Sequence, residues 1–327
     1  MKKKYDYRKE EDADLRMLYK SMIDYGKDAV QALWQGYQKG QAPVVAFRFV
    51  NNGDDFDASA RVRGKGYDIE VSAPMVYLLR ERFDRIFSHD FVIPALQGES
   101  GRLRMSSTLS EFCSAFVIYH EVAHIACGHT DLLDKRRKGR MLHELVKEVS
   151  EREIRMLRAF ECDADVVAAG LLAKMIYNFS RDMALNPGFR EIYDVLRPGG
   201  YIAEKMTALV LLSLLTMFLY STQVRDNLDK KSYHPEAMLR MYYIREVLIS
   251  GMKMNGRFSI KRIEYYAEAY FRQIIPALIS VVSIPEYGII KTKDMYAQRN
   301  ELQLAAAGER EVTRPFCWIP LDDWVYY

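Results

Sequence analysis

Cysteine and histidine are both scarce in this chain. Its 327 residues include only four cysteines, Cys113, Cys127, Cys162 and Cys317, and no CxxC pair occurs among them. That scatter argues against a disulfide framework and suits a reducing compartment, so the expected location is cytoplasmic. The amino terminus opens Met-Lys-Lys-Lys and stays charged through Asp14, without the apolar core of a signal peptide, so export is not indicated. Charge of one sign is also lacking. Forty-seven Lys and Arg stand against 44 Asp and Glu, and the net charge of +3 is too small to argue for a nucleic-acid partner. No internal repeat, low-complexity tract or linker interrupts the chain, and its 49% hydrophobic content is enough to bury a large core.

One long uncharged run is present, from Met206 to Thr222, dominated by Leu, Val, Met and Phe. At about 17 residues it sits at the bottom of the membrane-spanning range, and it carries Thr207, Ser213, Thr216, Ser221 and Thr222. A buried core helix is the favoured reading and a membrane span the alternative.

Periodicity divides the rest. Residues 10–40 read as an amphipathic helix through Leu15, Leu18, Met22, Ala29, Leu33 and Tyr37, ended by Gly40. Val44–Val50 and Tyr67–Val71 read as strands, with Ala60–Arg63 closing a hairpin through Gly64-Lys65-Gly66. Ser72 and Pro74 signal a second helix, with Tyr77, Leu78, Phe83 and Phe87 on its buried face. Pro94–Ser107 reads as a loop, and Thr108-x-x-Glu111 as a capping box opening the apolar helix that follows, which Gly128 stops. The charged stretch 135–160, with its basic run at 135–140, reads as a solvated helix or flap, a basic binding patch being the alternative. Further helices are expected at 235–249 and 260–282, the second interrupted by Pro276, and the aromatic end with Phe316, Trp318, Trp324, Tyr326 and Tyr327 should pack back on the body. The fold class expected is α+β, predominantly helical, with a small antiparallel sheet. Its regions are 1–105 (helix and sheet), 106–250 (helical core) and 251–327 (helical, with the packed aromatic tail).

His120-Glu121-Val122-Ala123-His124 is the most specific pattern in the chain. On a helix the two imidazoles lie one turn apart on one face, where both can reach a single Zn2+, and Glu121 flanks them as a base. A zinc metallopeptidase is the expectation, and a pair of satisfied helix histidines the bland alternative. Catalysis needs a third protein ligand and a position open to water. The extended motif HExxHxxGxxH would require Gly and His where Cys127 and Thr130 stand, so His129 is out of register and reads as a histidine at a helix end that suits the dipole. His143 reads as helix surface and His89 as a loop or cap residue. Glu161 ranks higher, because Glu161-x-x-Ala-Asp165 puts two acids four apart on a face surrounded by apolar residues. Burying both is costly unless a metal neutralises one and a ligand histidine bonds the other, so Glu161 is the expected ligand and Asp165 its support. The alternative is that Glu161 continues the series Glu144, Glu148, Glu151 and Glu153 and faces water.

The two helices together resemble the gluzincin zinc metallopeptidases, in which a second helix supplies a glutamate ligand in Glu-x-x-Ala-Asp, a pairing that the HtpX-like membrane proteases carry. Tyr233-His234-Pro235-Glu236-Ala237-Met238-Leu239-Arg240 is similar to the His-Pro-x-Ala-x-x-Arg element of the Lit phage-exclusion peptidases, and the order of motifs from Tyr119 to Arg240 follows that family. The resemblance covers little more than a third of the chain. It implies a zincin-like core, Zn2+ held by His120, His124 and Glu161, Glu121 as the catalytic base, and His234 near the metal. His234 or Tyr233 would donate to the developing oxyanion, the alternative being a helix-start turn with Arg240 in a structural ion pair. The implied partner is a protein or peptide substrate inside the cell; separately from the resemblance, one of the strands of the first region, Ala60–Arg63 among them, is a candidate open edge to which an extended peptide could add. Two other classes stand beside this one, a membrane-anchored protease using 206–222 and a zinc-stabilised binding module without catalysis. Oligomeric state is not legible.

Overall fold

The computed structural model describes residues 3–38, 40–51, 57–87, 89, 99–137, 151–226, 237–255, 258–281 and 310–319. Helix α1 (Ala13–Tyr37) begins at Asp12, whose carboxylate accepts from the backbone N–H groups of Asp14 and Leu15. Leu15, Leu18, Met22, Ala29 and Leu33 form its buried stripe, as their spacing predicts, while Tyr37 at the last turn is exposed. The helix stops before Gly40, which adopts φ +97° in the turn beyond.

Four strands follow the order β1-β2-β4-β3: β1 (Lys3–Tyr5), β2 (Val45–Asn51), β3 (Ala58–Arg63) and β4 (Gly66–Ser72). The expected hairpin is present, with β3 and β4 antiparallel across a turn in which Gly64 takes φ +61°. The sheet is nevertheless mixed rather than antiparallel, because β2 pairs with β4 in parallel. After β2 the chain passes to the outside of the sheet, forms β3, and returns between the two as β4. The central strand is accordingly buried from Asp68 to Ser72, and β3 is left at the edge.

Helix α2 (Ala73–Phe87) carries Pro74 in its first turn, where a missing N–H costs nothing. It buries Met75, Val76, Leu79, Phe83, Ile86 and Phe87, whereas Tyr77, expected inside, is half exposed. Helix α3 (Glu99–Ala126) starts well before the expected cap. Residues 99–107 are helix rather than loop, and Thr108 sits mid-helix with its hydroxyl donating to the Arg104 carbonyl. With apolar residues on all sides, α3 packs against α1, α2, α3's own successor α4 (His129–Arg137), α5 (Glu151–Asp182) and α7 (Ile202–Asp226), with β3 across it. It is the central element.

Three helices complete the described architecture: α6 (Arg190–Leu196), α8 (Ala237–Asn255) and α9 (Ile260–Val281), the last running through Pro276 without interruption. The apolar segment of α7 is long enough to cross a membrane but is largely buried against α3, α5, α8 and α9. Its hydroxyls are satisfied within the helix, since Thr207, Ser213 and Thr216 donate to the carbonyls of Ala203, Leu209 and Leu212. One continuous core extends from Leu15 to Ile319 and draws on all three sequence regions. At the carboxyl side Trp318 is buried edge-on against Trp34 and Tyr67, and its backbone N–H donates to the Ala126 carbonyl at the end of α3. Trp324, Tyr326 and Tyr327 lie outside the described residues, as do 138–150 of the charged stretch.

Candidate metal centre

The last two turns of α3 present His120 and His124 toward the middle of α5, where Glu161 meets them. The imidazole Nε2 atoms lie 3.1 Å apart. Glu161 Oε2 is 3.4 Å from His120 Nε2, and its Oε1 is 3.3 Å from His124 Nε2. All three side chains are buried, so the reading of Glu161 as a water-facing member of an acidic series is set aside. Two nitrogens and a carboxylate held so closely can hold a metal ion. Four donors placed tetrahedrally at about 2.1 Å from a zinc ion would lie roughly 3.4 Å from one another, so the observed spacings suit such an ion without rearrangement of the helices.

Asp165, one turn beyond Glu161, is fully buried, and its Oδ1 lies 2.9 Å from His120 Nδ1. The same carboxylate receives a bidentate guanidinium, with Arg240 Nε 2.8 Å from Oδ2 and Nη2 2.7 Å from Oδ1. Arg240 Nη1 also reaches within 3.9 Å of Glu161, and the guanidinium stacks on the Phe218 ring. Burial works against the Asp165 charge, yet Arg240 outweighs it and holds the carboxyl below its usual range. Burial likewise opposes a charge on His120, but Asp165 and Glu161 beside it push its pKa up to about 9 when no cation competes. His124 goes the other way, held below the usual imidazole range by burial.

Glu121 turns to the flank. It is buried, and with His120 it lines a small cleft of about 60 Å3 bounded by Ala58 of β3, Met75, Phe116, Phe218 and Arg240. Burial, with Glu161 nearby and His120 opposing, pushes the Glu121 carboxyl up to about 8.

Two buried groups on the opposite side of His124 escaped the sequence reading. Gly128, at φ +72°, ends α3 as its position predicts, and His129 begins α4 directly after it. A histidine here stands at the start of α4, whose own dipole does not favour its charge. His129 is fully buried, stacked on Phe160 at 4.2 Å between ring centroids with an 11° tilt, and its Nδ1 is 3.1 Å from His124 Nδ1. Burial, with His124 close by, holds it well below the usual imidazole range. Its Nε2 faces Asp163 Oδ2 at 4.0 Å, and Asp163 is gripped by Arg310, whose Nε donates to Oδ2 at 3.2 Å. Asp163 lies between Glu161 and Asp165 in sequence but is held by a different arginine, Arg310 rather than Arg240. His89 joins no metal-holding group among the described residues. Tyr233, His234, His143 and Glu144 lie outside them, whereas Arg240 is placed in the ion pair just described.

Comparison of the chain with family models, with curated proteins and with solved structures gives no match.

Proposed function

We propose that this chain is a zinc-dependent metalloendopeptidase that hydrolyses a peptide bond in a specific intracellular protein. The observation that carries this reading is the cluster of His120, His124 and Glu161 with a buried carboxyl, Glu121, that lines a small cleft together with His120. A site serving structure alone has no use for that fourth group, which is neither a ligand nor paired with an arginine among the contacts described.

His120, His124 and Glu161 would hold the ion. Zinc at such a site supplies Lewis acidity toward a carbonyl oxygen and brings the pKa of water down to about 7. Glu121 takes a proton from the attacking water and delivers it to the departing amine, so that its own charge is restored at the end of the cycle. Asp165 holds the His120 ring in place, and Arg240 keeps Asp165 ionised. Phe116, Met217 and Phe218 give the cleft an apolar wall. Strand β3 offers a place for an extended substrate. It is one of the two edge strands, no strand pairs with its far side among the described residues, and Ala58 at its beginning lines the cleft beside Glu121.

The Lit-like order of motifs extends the proposal to phage exclusion or defence as the setting. Glu121→Gln tests the chemistry. It should keep bound zinc and lose about 10²–10⁴-fold in turnover. Comparison of new protein amino termini in cells expressing wild type and Glu121→Gln should reveal one dominant cleavage, naming substrate and bond together. Undiminished cleavage by a zinc-loaded Glu121→Gln protein would sink the mechanism.

A further inference from the structure

We infer that His129 is a positioning residue for the metal site: its Nδ1 accepts a hydrogen bond from Nδ1–H of His124 and thereby fixes the His124 tautomer that leaves Nε2 free to ligate. The inference rests on the metal-site reading above and deepens it.

A neutral imidazole carries one N–H and one lone pair. Ligation through Nε2 requires the His124 proton on Nδ1. The atom facing that proton, 3.1 Å away, is another imidazole nitrogen, so it must be the bare one. His129 then carries its own proton on Nε2, which has no hydrogen-bond partner among the described residues but has the Asp163 carboxylate 4.0 Å away as its nearby counter-charge. Asp163 is in turn fixed by Arg310. The opposite tautomer pair would aim an N–H of His124 at His120 Nε2, 3.1 Å away, and close the site to a cation. Two features hold the accepting ring in register. Its plane is set by the stack on Phe160, and its backbone is brought under α3 by the left-handed turn at Gly128, where an added Cβ would come within 2.7 Å of Phe316 Cβ. Each of the two ligand histidines therefore has its second nitrogen held, His120 by a carboxylate and His124 by an imidazole. A partner at that second nitrogen raises metal affinity by fixing ring orientation and proton position.

Two substitutions separate this role from packing. His129→Phe keeps the stack and the volume but removes the acceptor. His129→Asn gives up the stack but can place an amide oxygen near the position of Nδ1. Zinc affinity, measured on the full chain by chelator competition, should fall about 10–100-fold in His129→Phe and stay within about threefold of wild type in His129→Asn. A purely structural role reverses that ranking. Wild-type affinity in His129→Phe, or an equal loss in both variants, overturns the inference. Nitrogen-15 NMR of the zinc-loaded wild type gives an answer that needs no variant to fold: a protonated Nδ1 on His124 with a bare Nδ1 on His129 supports the assignment, and the reverse pattern ends it. A wild-type chain that takes up no zinc removes the metal reading itself and the inference with it, whereas bound zinc with an indifferent His129→Phe removes the inference alone.

Discussion

The two flanks of the metal site solve the same problem with different chemistry. On the His120 side a fully buried carboxylate, Asp165, meets the imidazole directly, and a bidentate arginine neutralises it. On the His124 side the contacting group is an uncharged ring, with the acid and its arginine one step further out. A carboxylate at contact pulls on the imidazole proton and strengthens that ligand, but it brings a charge into the core that must be compensated at once. An imidazole at contact fixes geometry with no buried charge beside the ligand. The site thus pairs one electron-rich histidine with one that is oriented but electronically milder, and places the uncompensated risk on the Arg240 side.

The sharpest way to break this comparison is to remove the arginines. Arg240→Met removes the bidentate partner of Asp165 and leaves it the His120 imidazole alone, and should cost about 3–5 kcal/mol, read as a lowered urea midpoint of the metal-free protein. Asp165→Asn should come next, with zinc affinity down about 10–100-fold and the fold retained. Arg310→Met should cost only about 1–2 kcal/mol, because Arg310 keeps some solvent contact and Asp163 can take up a proton: burial already raises its pKa, with Arg310 opposing. The smallest effect is expected for Asp163→Asn, a loss of zinc affinity of less than about tenfold, since it acts on His124 only through His129. An Arg310→Met protein as unstable as Arg240→Met would erase the distinction between the flanks.

Legibility in the sequence followed the range of the interaction. His120, Glu121 and His124 share one helical turn, and Glu161 and Asp165 share another, so local spacing was enough to place each pair on a face. The β3–β4 hairpin was legible for the same reason, through the Gly64 turn. What failed was non-local or ambiguous. Nothing in β2 announces that β4 rather than β3 will lie beside it, so the parallel pairing was missed. Thr108-x-x-Glu111 satisfies the capping pattern, yet the same threonine can return its hydroxyl to a carbonyl four residues back, and the longer helix prevails. His129 looked like a helix-end residue because its meaning depends on Gly128 starting a new helix under the old one. Asp163 and Arg310 are 147 residues apart, with no motif to connect them. The clue that was available is the alternation Glu161, Asp163, Asp165 in an apolar stretch: three acids there need three partners, and the sequence reading supplied two.

The contacts of α5 also impose an order on the site during synthesis. The HExxH helix and its facing acids are made first, Arg240 follows 75 residues after Asp165, and Arg310 follows 147 after Asp163. A growing chain therefore passes through a stage in which the three metal-holding side chains exist while Asp165 and Asp163 still lack their arginine partners. At that stage an incoming metal ion would add counter-charge that the arginines do not yet supply, so the ion would be expected to act as a folding partner before it can act as a cofactor.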